Sequence, residues 1–330
     1  MSQNFIGPGG AKAVSKVLLN KKYITELALS VNGLFAEGAV ALGQSLKDKK
    51  YLEVFNLKKN EIGLQGMKTL EDCLTLSKTI KELNLTGNNI GDDGVAIVIK
   101  ALSNKKRQSL HVLSLSNNNI SSKGCKMICD FIAKCHTLEE LQLSNNQIDN
   151  EGAQELIKVL KNRSNFSNID IDNNKISGDT LTNLFNLLPL RNLNLLKNAL
   201  TDQQVTPVAK TLKENLQIQQ IFMSHNEMST NAFTMLSQGL ACNTRLTDLF
   251  FTHNDLVAAG DGGIEFIRSL SNKKDLKSLA LNSCKLNNML LSELQDAIKD
   301  HTALKELYLF ANKIDSSGAQ YISTMIKNKT

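Results

Sequence analysis

The sequence predicts an α/β solenoid in which every coil supplies one strand and one helix. Three observations predict it. A frame of leucines and isoleucines recurs along all 330 residues at steps of 24 to 30. Each recurrence opens with the period-two alternation of a strand and closes with the spacing of a helix. One asparagine stands at the junction between the two halves in almost every copy.

The stretch LEELQLSNNQIDNEGAQELIKVL, residues 138–160, displays one unit. The same frame begins at Ile24, Leu52, Ile80, Leu110, Leu138, Phe166, Leu190, Ile218, Leu246, Leu276 and Leu304. A partial unit precedes them, with Asn4, Ile6, Gly10 and Ala11 in the matching columns. The strand half is L-x-x-L-x-L, which sends alternate side chains to opposite faces. The junction column reads Asn32, Asn60, Asn88, Asn118, Asn146, Asn174, Asn198, Asn226, Asn254, Cys284 and Asn312. An amide donates and accepts at once. Stacked coil upon coil, it can pair the buried backbone of a turning chain, which needs partners. In the helix half, Gly152 is followed by Ala153, Leu156, Ile157 and Leu160, and the third repeat matches with Val95, Val98, Ile99 and Leu102. Neither half can bury its apolar face alone, so stacking is obligatory.

These motifs resemble leucine-rich repeats. The 28-residue step with a full helix resembles the ribonuclease-inhibitor-like class. The resemblance implies a right-handed leucine-rich-repeat solenoid, a horseshoe with parallel strands on the concave face and helices on the convex face. Geometry agrees, because strands pack about 4.8 Å apart and helices are about 10 Å wide. One domain is expected over residues 1–330: a partial capping repeat at 1–23 and eleven repeats at 24–330. Three departures stand out. The sixth repeat is four residues short and its helix ends at Pro189, "LVAAGDG" adds two residues after Leu256, and a loop is added around Lys105, Lys106 and Arg107.

Composition narrows the function. Apolar residues make up 42% and charged residues 21%, as in a well-buried protein. No run approaches the roughly 18–20 apolar residues of a membrane span, and "MSQNFIGPGGAKAV" lacks the pattern of a secretory signal. The six cysteines form no CxxC pair, which suits a reducing compartment. The cytoplasm is the expected place, with a cytoskeletal or ciliary assembly as one setting.

Chemistry is hard to find. "GPGGAK" at 7–12 lacks phosphate-loop spacing. "DIDNNKISGDTL" from Asp170 starts like a calcium loop but has Lys175 at its sixth position and Leu181 at its twelfth. His225 and His253 share a column in adjacent coils, without a third ligand for a metal. The sequence therefore predicts no catalytic residue, cofactor or metal, and no enzyme.

What remains is binding. One outward strand column reads Ala28, Asn56, Asn84, Ser114, Gln142, Asp170, Asn194, Phe222, Phe250, Ala280 and Tyr308. Another includes Ser144, Asp172, Leu196 and Phe310. Aromatic rings thus gather at outward positions in the last third, and such clusters mark interfaces. The expected partner site is Leu196, Phe222, His225, Phe250, His253, Tyr308 and Phe310. A second feature is basic: Lys21, Lys22, Lys49, Lys50, Lys105, Lys106, Arg107, Lys161, Arg163, Lys273 and Lys274 fall between helix and strand. They would line one rim for an acidic partner, or complement helix C-termini. No nucleic-acid motif is present. The expected function is a protein-interaction scaffold, a fixed subunit of a larger assembly. The resemblance also implies two rivals: an enzyme regulator of the inhibitor or GTPase-activating type, and a ligand-sensing repeat protein.

Overall fold

The computed structural model describes residues 2–103, 109–161, 163, 165–166, 168–176, 180, 183–184, 192–194, 202–214, 218–226 and 228–327. They fall into two compact units, Met1–Ile176 and Ser177–Thr330. Pro189 and much of the helix half of the short sixth repeat, Asn198 and the Lys105–Arg107 loop lie outside the described residues.

In the first unit, helix α1 (Gly7–Leu19) precedes six strands: β1 (Glu26–Ala28), β2 (Val54–Asn56), β3 (Glu82–Asn84), β4 (Val112–Ser114), β5 (Glu140–Gln142) and β6 (Asn168–Asp170). They pair in parallel and in chain order. The helices between them are α2 (Phe35–Leu46), α3 (Gly63–Leu76), α4 (Gly91–Ser103), α5 (Ser122–Ile132) and α6 (Asn150–Leu160). The second unit repeats the plan with β7 (Asn192–Asn194), β8 (Gln220–Phe222), β9 (Asp248–Phe250), β10 (Ser278–Ala280) and β11 (Glu306–Tyr308) in one parallel sheet. Its described helices are α7 (Asp202–Glu214), α8 (Thr230–Cys242), α9 (Asp261–Arg268), α10 (Asn288–Ile298) and α11 (Ser316–Lys327). The extra residues after Leu256 form a turn that ends at Gly260, whose φ is +54°. The middle residue of a strand (Leu27, Phe55, Leu83, Leu249, Leu279) is buried under the helices, so its neighbours face out.

The asparagine column does what the turn requires. Asn60 donates from Nδ2 to Leu57 O at 2.9 Å and to Leu29 O of the previous coil at 2.8 Å. Its Oδ1 accepts from Asn32 N at 3.0 Å and, more weakly, from Leu34 N at 3.4 Å. Asn88, Asn118 and Asn146 repeat this pattern. In the second unit Asn254 and Asn312 do the same work. The N-terminal cap joins the ladder at Asn4, whose N–H donates to Asn32 Oδ1 at 3.1 Å. Cys284 keeps the donor half, with Sγ donating to Phe251 O at 3.2 Å. Burial pushes its thiol up to about 11. Because a thiol is the weaker partner, Cys284→Asn is expected to stabilise the second unit by about 1 kcal/mol, read as a rise in the denaturation midpoint. A lower midpoint would show that this coil has packed around the sulfur.

A second polar ladder was not expected. Three residues before the strand leucine, Lys49, Ser77, Cys135, Asn243, Lys273 and His301 are buried. Several cap carbonyls of the preceding coil. Lys273 Nζ donates to Leu240 O at 2.7 Å, and Asn243 Nδ2 to Ile218 O at 3.1 Å. Arg163 reaches Ile132 O, Cys135 O and Leu138 O at 2.7, 3.0 and 3.1 Å. Burial lowers the Lys273 ammonium to about 8.

Candidate partner-binding face

The register of the second sheet brings the expected aromatic residues into one row. Phe222 lies beside Phe250, Phe250 beside Ala280, and Ala280 beside Tyr308. The Phe222 and Phe250 rings stack with centroids 4.8 Å apart and planes 3° from parallel. Both are half-buried, so part of each ring serves its neighbour rather than solvent. Tyr308 is 45% exposed and Phe310, one layer on, 78%. Phe310 is tied down through its backbone, whose N–H donates to Asn282 Oδ1 at 2.8 Å. Leu196 lies outside the described residues.

His225 and His253 also meet, with ring centroids 4.0 Å apart and planes 14° from parallel. Both are exposed and hold φ of +60° and +57°. The residue before the ladder asparagine is left-handed elsewhere too, at Lys59, Asn117, Asn145, Asn173 and Ser283. Histidine and asparagine tolerate that region better than β-branched residues do. The backbone admits histidine here without dictating it, since Val31 and Ala311 hold φ of +56° and +55° in the same column, and the stacked rings add a polar border to the aromatic row.

The first sheet presents a different surface. Its matching row is Ala28, Asn56, Asn84, Ser114, Gln142 and Asp170. Asn56 and Asn84 are spent locally, each accepting at 3.0 Å from the N–H two residues on. The row ends at a buried acid pair. Asp172 is 8% exposed, and one oxygen of Asp170 and one of Asp172 have no hydrogen-bond partner among the described residues. Burial, then the hydrogen bond and charge of Asp170, push the Asp172 carboxyl up to about 9.

The expected basic rim is only partly a surface. Lys49 and Lys273 are buried and Arg163 is committed to three carbonyls. Lys21, Lys22, Lys50, Lys161 and Lys274 remain exposed. Lysine and arginine bury their stems readily while the charged head finds oxygen, so their count overstated the rim. Sequence reading also missed an aromatic pair in the first unit. Tyr23 and Tyr51, 79% and 50% exposed, lie 5.5 Å apart. Each precedes the first frame residue of its repeat, a shared column that could have found them. Among the described residues no three His, Cys, Asp or Glu side chains gather as metal ligands, and no helix is long and apolar enough to cross a membrane.

A family model described as Leucine Rich repeat matches residues 76–96, 106–129 and 134–156. No curated protein matches the chain in sequence. Among solved structures, an internalin from Listeria monocytogenes is similar over 96% of this chain and 92% of that chain, at 18% identity and a TM-score of 0.53. The C-terminal domain of tropomodulin from Caenorhabditis elegans is similar over 42% of this chain and 84% of that chain, at 10% identity and a TM-score of 0.36. Leucine-rich-repeat domains generally mediate contacts between proteins. By its repeats and by its fold, this chain is a leucine-rich-repeat protein.

Proposed function

We propose that the chain is a non-enzymatic scaffold that holds a protein partner on the outward strand face of its second unit. One observation carries the reading. Phe222, Phe250, Tyr308 and Phe310 gather at outward positions of one sheet, two of them ordered by stacking and two exposed. Rigid rings supply contact area at little ordering cost, and a few such residues often dominate an interface. The matching row of the first sheet is small and polar, which gives the surface a direction. The ribonuclease-inhibitor-like class belongs to the same proposal, supported by the 28-residue step. So does a cytoplasmic setting, supported by cysteines that are free thiols, five of the six buried.

The test is a pull-down from native extract with Phe222→Ala/Phe250→Ala beside Gln142→Ala, in the polar row. The aromatic pair is expected to cost about 2 kcal/mol or more, roughly thirtyfold in affinity. Gln142→Ala is expected to leave binding unchanged. A folded aromatic variant that keeps every partner would place the interface elsewhere, with Tyr23 and Tyr51 the next residues to change.

A further inference from the structure

The rim where helices hand over to strands changes character at the start of the first unit. The residue just before the first frame residue of each repeat reads Tyr23, Tyr51, Thr79, Ser109, Thr137 and Asn165. From the third repeat to the sixth this residue serves the fold. Thr79 Oγ1 donates to Leu52 O at 2.8 Å and to Lys50 O at 3.0 Å. Ser109 Oγ donates to Ile80 O and Thr137 Oγ1 to Leu110 O, both at 2.8 Å, and Asn165 Nδ2 to His136 O at 2.9 Å. Each bond ties a coil to the one before it. A phenol stands too far from its own backbone to do the same. Tyr23 and Tyr51 lie instead against each other, with centroids 5.5 Å apart and planes at 36°, and they are 79% and 50% exposed. Two more apolar side chains stand out at this rim, the last residues of α1 and α3. Leu19 is 59% exposed and Leu76 51%.

The column before the tyrosines is basic. Lys22, Lys50 and Lys78 are exposed in three successive coils, about one strand spacing of 5 Å apart at each step. None of the three joins an ion pair among the described residues. Lysines close by do pair: Lys47 with Asp72, Lys81 with Glu53 and Lys100 with Glu71, each at 2.8 Å. Asp48, two residues before Lys50, holds no lysine. Glu26 and Glu82 hold none either, but they open β1 and β3 on the strand face. The rim column therefore keeps three like charges beside two exposed rings.

Exposed rings and leucines beside unpaired lysines match a surface that is apolar within and anionic at its edge. In a bilayer of acidic lipids, tyrosine rings settle at the level of the headgroups. Leucines add buried apolar area, and each lysine near the surface is drawn to the lipid charge. A single-stranded nucleic acid would use the rings and the lysines and leave the leucines idle. An acidic peptide would answer the lysines and leave the apolar side chains in water. We propose that this rim of the first unit docks on an anionic lipid surface, with Tyr23 and Tyr51 at the headgroup boundary and Lys22, Lys50 and Lys78 on the phosphates. The docking needs no membrane-spanning segment and does not depend on the partner face of the second unit. A chain with both surfaces would hold its protein partner at a membrane.

The chain has no tryptophan, so Tyr23→Trp and, in the other unit, Tyr308→Trp each supply a single reporter. Each full chain is mixed with vesicles of phosphatidylcholine alone and of equal parts phosphatidylcholine and phosphatidylserine. Tyr23→Trp emission is expected to move to shorter wavelength with the mixed vesicles only, as the indole leaves water, while Tyr308→Trp emission stays in place. Flotation with the mixed vesicles should weaken about tenfold in Tyr23→Ser/Tyr51→Ser and about a hundredfold in Lys22→Gln/Lys50→Gln/Lys78→Gln. Lys277→Gln/Lys305→Gln/Lys313→Gln removes the same charge from the second unit and should cost less than about threefold. Every replaced side chain is exposed, so none of these changes opens the core. Equal losses in the two lysine variants would reduce the effect to net charge and overturn the docking edge. So would equal flotation on the two kinds of vesicle, an unmoved Tyr23→Trp emission, or a tyrosine variant that floats like the parent. Binding of polyuridylate or polyglutamate that the tyrosine variant abolishes, in a chain that floats with neither vesicle, would overturn it too and give the rim to a nucleic acid or an acidic peptide.

Discussion

Asn118→Ala is expected to destabilise the first unit by about 3 kcal/mol or more. The side chain is fully buried and serves five backbone groups. Nδ2 donates to Leu85 O, Leu115 O and Ser116 O at 2.9, 3.0 and 3.1 Å, while Oδ1 accepts from Asn88 N at 3.0 Å and Ile90 N at 3.4 Å. Alanine leaves these groups in a space that admits little water, and each orphan costs about 1–3 kcal/mol before relaxation. The loss should be local, because in a solenoid each coil answers mainly to its neighbours. Hydrogen exchange should accelerate at the amides of Asn88 and Ile90 before the whole unit melts. Asn119→Gly is the control. Asn119 is exposed with φ of +58°, a conformation glycine adopts freely, so its change should stay within about 0.5 kcal/mol. Equal urea midpoints for the two variants would remove the ladder from the account of stability.

Asp172→Asn should act in the opposite direction and raise stability at neutral pH by roughly 2–4 kcal/mol. The folded carboxyl is held up to about 9, first by burial and then by Asp170. The folded chain therefore keeps a proton that the unfolded chain gives up near pH 4, the ordinary range of a carboxyl. Between about pH 4 and 9 the unfolded state binds fewer protons, so stability falls as pH rises. Below that window both states are protonated and the cost vanishes. Asparagine removes the titration and supplies an N–H for an orphaned oxygen of the pair. Urea midpoints of the parent chain at pH 5, 7 and 9 should decline more steeply than those of the variant. A variant less stable at pH 7, or one with an unchanged pH slope, would show that the pair is partnered in solution.

Much of the fold was legible because its chemistry repeats. An asparagine at a fixed step between period two and period 3.6 has few other uses, and its bonds in the structure are those the turn demanded. The outward columns were legible for the same reason, and Phe222 and Phe250 do meet. The polar column before each strand was not read, because Lys49, Lys273, Asn243 and His301 share a position but not a residue type. A lysine in a list of lysines looks solvated until its coil is stacked on the next.

Hydroxyl-radical footprinting of the chain alone and in its native complex tests the partner face most directly, since Tyr308 and Phe310 compete with Phe5 and Tyr23, 81% and 79% exposed in the other unit. Oxidation of Tyr308 and Phe310 is expected to fall several-fold on complex formation, with Phe5 and Tyr23 unchanged. Protection confined to Phe5, Tyr23 and Tyr51, with Tyr308 and Phe310 oxidised as before, would contradict a partner face on the second unit.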